Sequence, residues 1–475
     1  MASTLPKILG IPLILLAACG PGTESPEPTT TPGSSATPTE TAAAQTATPT
    51  AAAQTPTAPT ATATEEGDTP TPAAFGEVQA STQERDTNPD VSSDQMNSLV
   101  GGNTAFALDL YQQIRTADGN LFYSPHSMSQ AVAMTWAGAK GTTDTQMAET
   151  MHFDLPQAEL HPAMNALDLA LASRADVAPE SDVRPFQLNV VNAAWGQTGY
   201  TFLDPYLDTL AIDYGAAMRL VNYSSDTEGA RQTINGWVAS ETEDRIDELI
   251  PAGVLTVDTR LVLVNAIYFA ATWKWPFSED VTAPGTFTTL AGPEVTADMM
   301  QQTIDGGGVQ YSDGEGLLAL EMPYDGDQLS MVLIAPETGT FDTFEAGITP
   351  ASLQGIIDGM APGHIRITMP KFEFDYDLPL ADHLKAMGMT DAFDAGLCDL
   401  SGMDGTDDLY VQDVLHKAFV AVDEFGTEAA AATAVVVGIE SAPQPVVFDR
   451  PFVFLIRDIP TGAVLFMGRV VDPSI

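Results

Sequence analysis

The sequence predicts an α+β fold, on three observations. Helical apolar patterning gathers early in the folded region, strand-like runs dominate later, and closely spaced strands around a single turn close the chain. Composition shifts near Asp94, where Met96, Leu99, Phe106, Leu108, Leu110 and Ile114 begin a helical apolar pattern. Residues 127–139, 142–151, 203–214 and 226–241 also read as helices. Strand-like runs occupy 186–195, 261–270, 317–322, 330–335, 365–369, 419–424 and 452–456. The terminal block consists of 446–448, 452–457 and 463–471, with Arg457-Asp458-Ile459-Pro460-Thr461-Gly462 as its turn. Long strands with helices gathered early favour α+β over a βαβ repeat. No second linker and no repeat interrupts 95–475, so a single domain is expected there.

Charge excludes whole classes of partner. The 475 residues carry 64 Asp and Glu against 18 Lys and Arg, a formal charge of −46. Residues 1–90 hold two basic and ten acidic residues, leaving −38 on the rest. Such a chain repels phosphate backbones and anionic headgroups, which argues against nucleic acid and polybasic membrane binding. A hydrophobic content of 44% supplies ample core. Cys19 and Cys398 cannot build a disulfide framework or a thiolate zinc site, and the six histidines form no HExxH pair. Neither a metal nor a cofactor is expected.

The first residues address the protein. Lys7 precedes an apolar run over 8–18 that is too short for a bilayer, which needs about 20 residues, but suits a signal peptide. Leu16-Ala17-Ala18-Cys19 resembles the bacterial lipobox, whose cysteine is acylated and becomes the mature N-terminus. An ordinary secretory signal with an incidental Cys19 is the alternative. Residues 20–75 are mostly Thr, Pro, Ala, Ser and Gly, with little to bury against the entropy of ordering. As a coil, a stalk of roughly 70 residues spans about 45 Å. The expected organisation is a signal peptide over 1–18, a lipidated, disordered stalk over 19–94, and a folded domain over 95–475. That places a monomer on the extracellular face of the bacterial membrane or envelope, anchored through Cys19.

Five motifs in order carry a family resemblance. Asn120-Leu-Phe-Tyr-Ser-Pro-His-Ser127 comes first, then Asn265-Ala-Ile-Tyr-Phe269 with Trp273 and Phe277. The third is His416-Lys-Ala-Phe-Val-Ala-Val-Asp-Glu-Phe-Gly426-Thr-Glu-Ala-Ala-Ala-Ala-Thr433. Phe448-Asp-Arg-Pro-Phe-Val-Phe454 and Leu465-Phe-Met-Gly-Arg469 close the set. Together they resemble the serpins over about 95–475. The resemblance implies a domain of three β-sheets and eight or nine helices with an exposed reactive-centre loop. It also implies a suicide inhibitor without a catalytic group of its own. A target serine protease cleaves the loop and is left as a covalent acyl-enzyme while the loop enters the main sheet as a new strand.

The loop residues suit that fate. A segment that becomes a central strand needs small or β-branched side chains and no proline, and 427–439 contains none. Thr427, Ala429, Ala431, Thr433, Val435 and Val437 form one alternating row without charge, while Glu428, Ala430 and Ala432 fall on the other. A one-residue slip would bury Glu428, so register is well specified. Gly426 gives the hinge backbone freedom. Taken alone, 428–434 has high helix propensity and would read as a helix; the flanking motifs override that reading.

By resemblance, Ser124, Ser127, Asn265 and His416 form the shutter, a polar cluster under the centre of the main sheet. Such a network can hold one arrangement before insertion and another after it. A Ser and His pair also suggests nucleophile and base, but no GxSxG elbow presents it. Trp273 and Glu424 match the breach, where the loop first enters; Pro323 stands where some members carry a basic residue, which leaves Glu424 without an evident ion pair. The family's spacing, counted from Glu424, places the scissile bond at Glu440-Ser441, with Ile439 or Val437 as alternatives. Asp399, Asp404, Asp407 and Asp408 crowd one loop but lack EF-hand spacing, so they read as a solvated turn rather than a calcium site. Cys398 reads as a small buried residue. The competing function is a non-inhibitory member that acts as a surface binding or structural protein.

Overall fold

A computed structural model describes residues 75–177, 187–427 and 442–475. Cys19, Glu428, Ala429, Ala430, Ala431, Ala432, Thr433, Glu440 and Ser441 lie outside them, as do Val437 and Ile439. The chain divides into Met1–Glu66 and Gly67–Ile475, and every described residue belongs to the second unit.

The unit opens with β1 (Glu77–Gln79), α1 (Ser93–Ile114), β2 (Leu121–Tyr123), α2 (Pro125–Trp136), α3 (Gly141–Met151) and α4 (Gln157–Ala172). Next come β3 (Gln187–Gln197), α5 (Asp204–Tyr214), β4 (Met218–Val221), α6 (Thr227–Glu241) and β5 (Leu261–Thr272). Four strands follow: β6 (Ala283–Thr288), β7 (Glu294–Gly314), β8 (Leu317–Pro323) and β9 (Leu329–Pro336). α7 (Phe341–Gly347) and α8 (Pro350–Gly359) lead into β10 (Ala361–Pro370) and β11 (Phe372–Pro379). After α9 (Ala381–Met387) and α10 (Ser401–Asp404) come β12 (Val411–Val422) and β13 (Gly426–Thr427). The last strands are β14 (Gln444–Val447), β15 (Phe452–Asp458) and β16 (Val464–Val470).

These elements form an α+β fold on two hydrogen-bonded sheets. The first runs β1-β4-β3-β5-β13-β12-β11. The second runs β14-β10-β7-β8-β9-β15-β16-β2, with β6 also on β7. The three expected sheets are counted as two because the 21-residue β7 belongs to both parts of the second. One part of it pairs with β6 and β10, and its end from Gln310 pairs with β8. Ten helices are found among the described residues rather than eight or nine, and several are short, α10 spanning four residues.

Local chemistry sets the elements that matter below. The Ser124 side chain accepts from Ser127 N and Pro125 occupies the first turn, so α2 starts at Pro125, two residues earlier than the apolar pattern suggests. All twelve residues of α2 are buried, as are all twelve of β5. A strand buried on both faces needs cover on both, and β5 has it. α2 packs against β3 and β5 on one face. On the other, Ile234, Trp237 and Val238 of α6 cluster with Val262, Val264 and Ala266 of β5 and with Leu415 of β12.

The folded body also begins earlier than residue 95. Residues 75–94, assigned to the stalk from composition, include β1 on the rim of the first sheet. Ser92 and Gln95 form a capping box that starts α1. Composition misled because this segment is polar and is held by hydrogen bonds more than by burial.

Candidate functional site

The centre of the first sheet has an unusual join. β5 and β12 are parallel neighbours from Val411 opposite Leu261 to Ala418 opposite Ile267. Beyond that point β13 lies between them, antiparallel to both: Thr427 faces Ala271 and Val422, and Gly426 faces Thr272. The chain reverses after β12 through a turn in which Asp423 accepts from Phe425 N at 2.8 Å and Gly426 N at 3.1 Å. Asp423 N also donates to Gly426 O at 3.0 Å. A strand continuing from β13 would therefore enter antiparallel to both neighbours, each of which would offer it a ladder. Asp423 and Glu424, read from sequence as the end of a strand, belong to this turn.

Gly426 is required for a tighter reason than hinge freedom. A Cβ there would lie 2.0 Å from Ala271 O and 2.8 Å from Thr272 Cα. Thr427 is 2% exposed, and its hydroxyl is 2.8 Å from Tyr324 Oη. The hinge thus already has its first inward-facing residue seated in the sheet. Trp273 closes over it, stacking on Tyr324 at 4.6 Å between ring centroids. Trp273 N donates to Phe425 O at 2.8 Å and its indole N–H to Asp423 O at 3.1 Å.

Glu424 has an ion pair after all. Pro323 does not supply it; Lys371, in the link between β10 and β11, places Nζ 2.7 Å from Glu424 Oε2. Thr282 donates to Oε1 at 2.7 Å. Burial disfavours the carboxylate, but these bonds outweigh it and hold Glu424 below its usual range. The same pair outweighs desolvation at Lys371 and raises the ammonium.

The four shutter residues meet beneath the seam. His416 of β12 and Asn265 of β5 are register partners, and His416 Nδ1 donates to Asn265 Oδ1. Nε2 accepts from Ser124 N at 3.2 Å, which fixes the neutral tautomer. Burial pushes the imidazole down to about 3. Asn265 Nδ2 donates to Ser127 Oγ and Asn192 Oδ1. Asn192 in turn donates to Gln130 Oε1 at 2.8 Å. The Ser124 hydroxyl donates to Leu465 O at 2.7 Å, so His416 meets a backbone amide there and no serine nucleophile is activated.

One bond in this network crosses the seam. Adding a strand would increase the β5 to β12 spacing from about 4.8 to about 9.6 Å, beyond the reach of the His416–Asn265 bond. The arrangement is a buried polar bridge between the two central strands.

Asn192, Gln130, Lys371, Thr282 and Tyr324 escaped the sequence reading. Their partners lie 53 to 142 positions away, so only strand register reveals them. Asp399 and Asp404 cap their own turns: Ser401 Oγ donates to Asp399 at 2.6 Å and Thr406 N to Asp404 at 2.8 Å. Burial pushes the Cys398 thiol up to about 12, leaving a buried, unreactive group.

The first sheet thus joins two parallel strands directly at one end and through a two-residue antiparallel strand at the other. The chain matches the serpin (serine protease inhibitor) family over residues 101–473 and belongs to it. It is 36% identical to an uncharacterized serpin-like protein of Thermococcus kodakarensis over 385 residues, 80% of this chain and 87% of that protein. It is 35% identical to a leukocyte elastase inhibitor of Xenopus laevis, over 80% of this chain and all of that one. The solved native-state structure of tengpin, a thermophilic serpin, superposes with a TM-score of 0.71 at 25% identity, over 83% of this chain and 97% of that one.

Proposed function

We propose that this protein is a suicide inhibitor of extracellular serine proteases, tethered to the outer face of a bacterial envelope by lipid on Cys19. The observation that carries the reading is β13, a hinge already antiparallel to both strands of the seam. The protease serine attacks the Glu440 carbonyl, forming an ester and releasing Ser441 as a new N-terminus. Insertion of 428–440 then removes the ester from the machinery that would hydrolyse it. Each added residue brings ladder bonds worth roughly 0.5–1.5 kcal/mol net against about 1 kcal/mol or more for ordering its backbone. Burial of Val435 and Val437 adds to the gain at about 25 cal/mol per Å².

A carboxylate at the bond calls for a protease pocket with cationic or hydrogen-bond donors, hence a glutamyl-specific endopeptidase. Val435-Val-Val-Gly-Ile439 also suits elastase-like or subtilisin-like enzymes, and a relative bears the elastase inhibitor name. The expected result with a panel of such enzymes is an SDS-resistant covalent band and a released C-terminal fragment beginning at Ser441. A fragment beginning at Gly438 or Glu440 moves the bond to Val437 or Ile439. Cleavage by every enzyme with no band at all rejects inhibition in favour of a binding or structural role. Glu440→Arg should redirect inhibition toward trypsin-like enzymes.

The anchor has its own check. Wild type should partition into detergent from cell membranes, and Cys19→Ser should move to the aqueous phase; equal partitioning removes the lipid from the account.

A further inference from the structure

Only a short length of chain joins the reactive bond to the second sheet. Ser441 begins the fragment released by cleavage, and Gln444 already opens β14. The four steps from Ser441 to Pro445 span at most about 14 Å, so a protease held at the bond works within that distance of Pro445. Pro445 is the register partner of Arg366 on β10, and Thr303 of β7 faces Arg366 from the other side. All three residues are exposed and form an open row across the sheet, whereas Ile365 and Ile367, beside Arg366, are fully buried. A protease domain of roughly 200 residues has a radius of gyration of about 16 Å. A body of that size, held at the bond, reaches this row.

Arg366 is the exceptional member of the row. The chain has 64 acids for 18 bases, so cations should be taken up in pairs and the surplus should be carboxylate. Among the described residues, Lys140 and Arg366 are the only cations whose side chains make no hydrogen bond, ion pair or ring contact. Lys140 precedes α3, whereas Arg366 stands on the strand that anchors β14. Its register partners offer a hydroxyl and a proline ring. Asp305, two residues beyond Thr303, lies 2.9 Å from His364 Nε2 instead. The fold therefore leaves the five N–H donors of this guanidinium to solvent.

We propose that Arg366 is a specificity-determining exosite, which grips a carboxylate on the rim of the protease held at the reactive bond. This rests on the inhibitory reading above. A planar guanidinium binds a carboxylate through two parallel bonds, which fixes orientation as well as sign. The rest of the domain is acidic and repels an acidic rim placed anywhere else, so one cation selects one way of docking.

The test uses the full chain as wild type, Arg366→Ala, Arg366→Glu and Arg366→Lys, with the panel enzyme that wild type inhibits fastest. The second-order rate of association, the stoichiometry of inhibition and the melting temperature are measured. Association should fall about tenfold in Arg366→Ala and further in Arg366→Glu, with Arg366→Lys between Ala and wild type. Stoichiometry and melting should not change, because Arg366 touches neither the seam nor the core. Unchanged association in the Ala and Glu variants overturns the exosite. So does faster association in Arg366→Glu, which reports an enzyme that meets this face with cations. A raised stoichiometry also overturns it, by placing Arg366 in insertion rather than recognition. If no enzyme forms a covalent complex, the inhibitory reading fails separately. The rate at which the fastest-cutting enzyme cleaves the loop then decides for or against the exosite by the same order of variants.

Discussion

Thr427→Arg is expected to turn the inhibitor into a substrate. Thr427 is already buried between β5 and β12 and bonded to Tyr324, so the guanidinium would meet apolar strand faces and one hydroxyl. Burying an unpaired charge costs several kcal/mol, and each 1.4 kcal/mol slows insertion about tenfold. Hydrolysis of the acyl-enzyme then overtakes insertion. The stoichiometry of inhibition should rise at least about tenfold while the protease still cuts the loop. An unchanged stoichiometry, with the covalent band as strong as in wild type, would defeat the account. Thr427→Ser keeps the bond to Tyr324 and should inhibit as wild type does.

Asn265→Ala is expected to release the sheet. The substitution leaves His416 Nδ1–H without its acceptor and frees Ser127 and Asn192 at once, all beneath a fully buried strand. Buried groups left unpaired cost about 1–3 kcal/mol each, less whatever they recover among themselves. The native melting temperature should fall by several degrees. Because the lost bond crosses the seam, the mutant should also convert faster to a higher-melting form. Gln130→Ala serves as the control: it weakens the network on the α2 side but leaves the cross-seam bond in place. It should lower the melt without accelerating conversion. Equal conversion rates in the two variants would show that the His416–Asn265 bond does not hold the seam shut.

Much of this site was legible because its residues sit in motifs. Trp273, Glu424, Gly426 and Thr427 lie together at one end of the seam, and Ser124, Ser127, Asn265 and His416 lie together beneath it. What stayed hidden was set by geometry across the chain. Pro323 drew attention to the wrong strand for the Glu424 partner, because nothing local shows that Lys371 reaches back from the other sheet's link. Gly426 looked like a flexible joint, whereas the crowding at Ala271 O depends on which strand lies beside it. Residues 75–91 read as linker because Ser, Thr, Gln and Asn bury nothing; their order comes from partners more than 75 positions away. β12 was expected only from 419, since Gln412, Asp413, His416 and Lys417 break the apolar run that marks a central strand.

The position of the last two strands bears on how the molecule is made. β15 and β16 lie inside the second sheet, between β9 and β2, and Met467 faces Tyr123 across 344 positions of chain. Pairing so distant is slow to form, and here it waits until the final residues have been synthesised. Until then β9 and β2 present bare edges that invite pairing with other chains. The bait loop, encoded just upstream, is complete before those strands exist. If the loop inserts as proposed above, biogenesis is a race in which the C-terminal hairpin must dock before the loop finds the seam, and a chain that loses it is spent before it meets a protease.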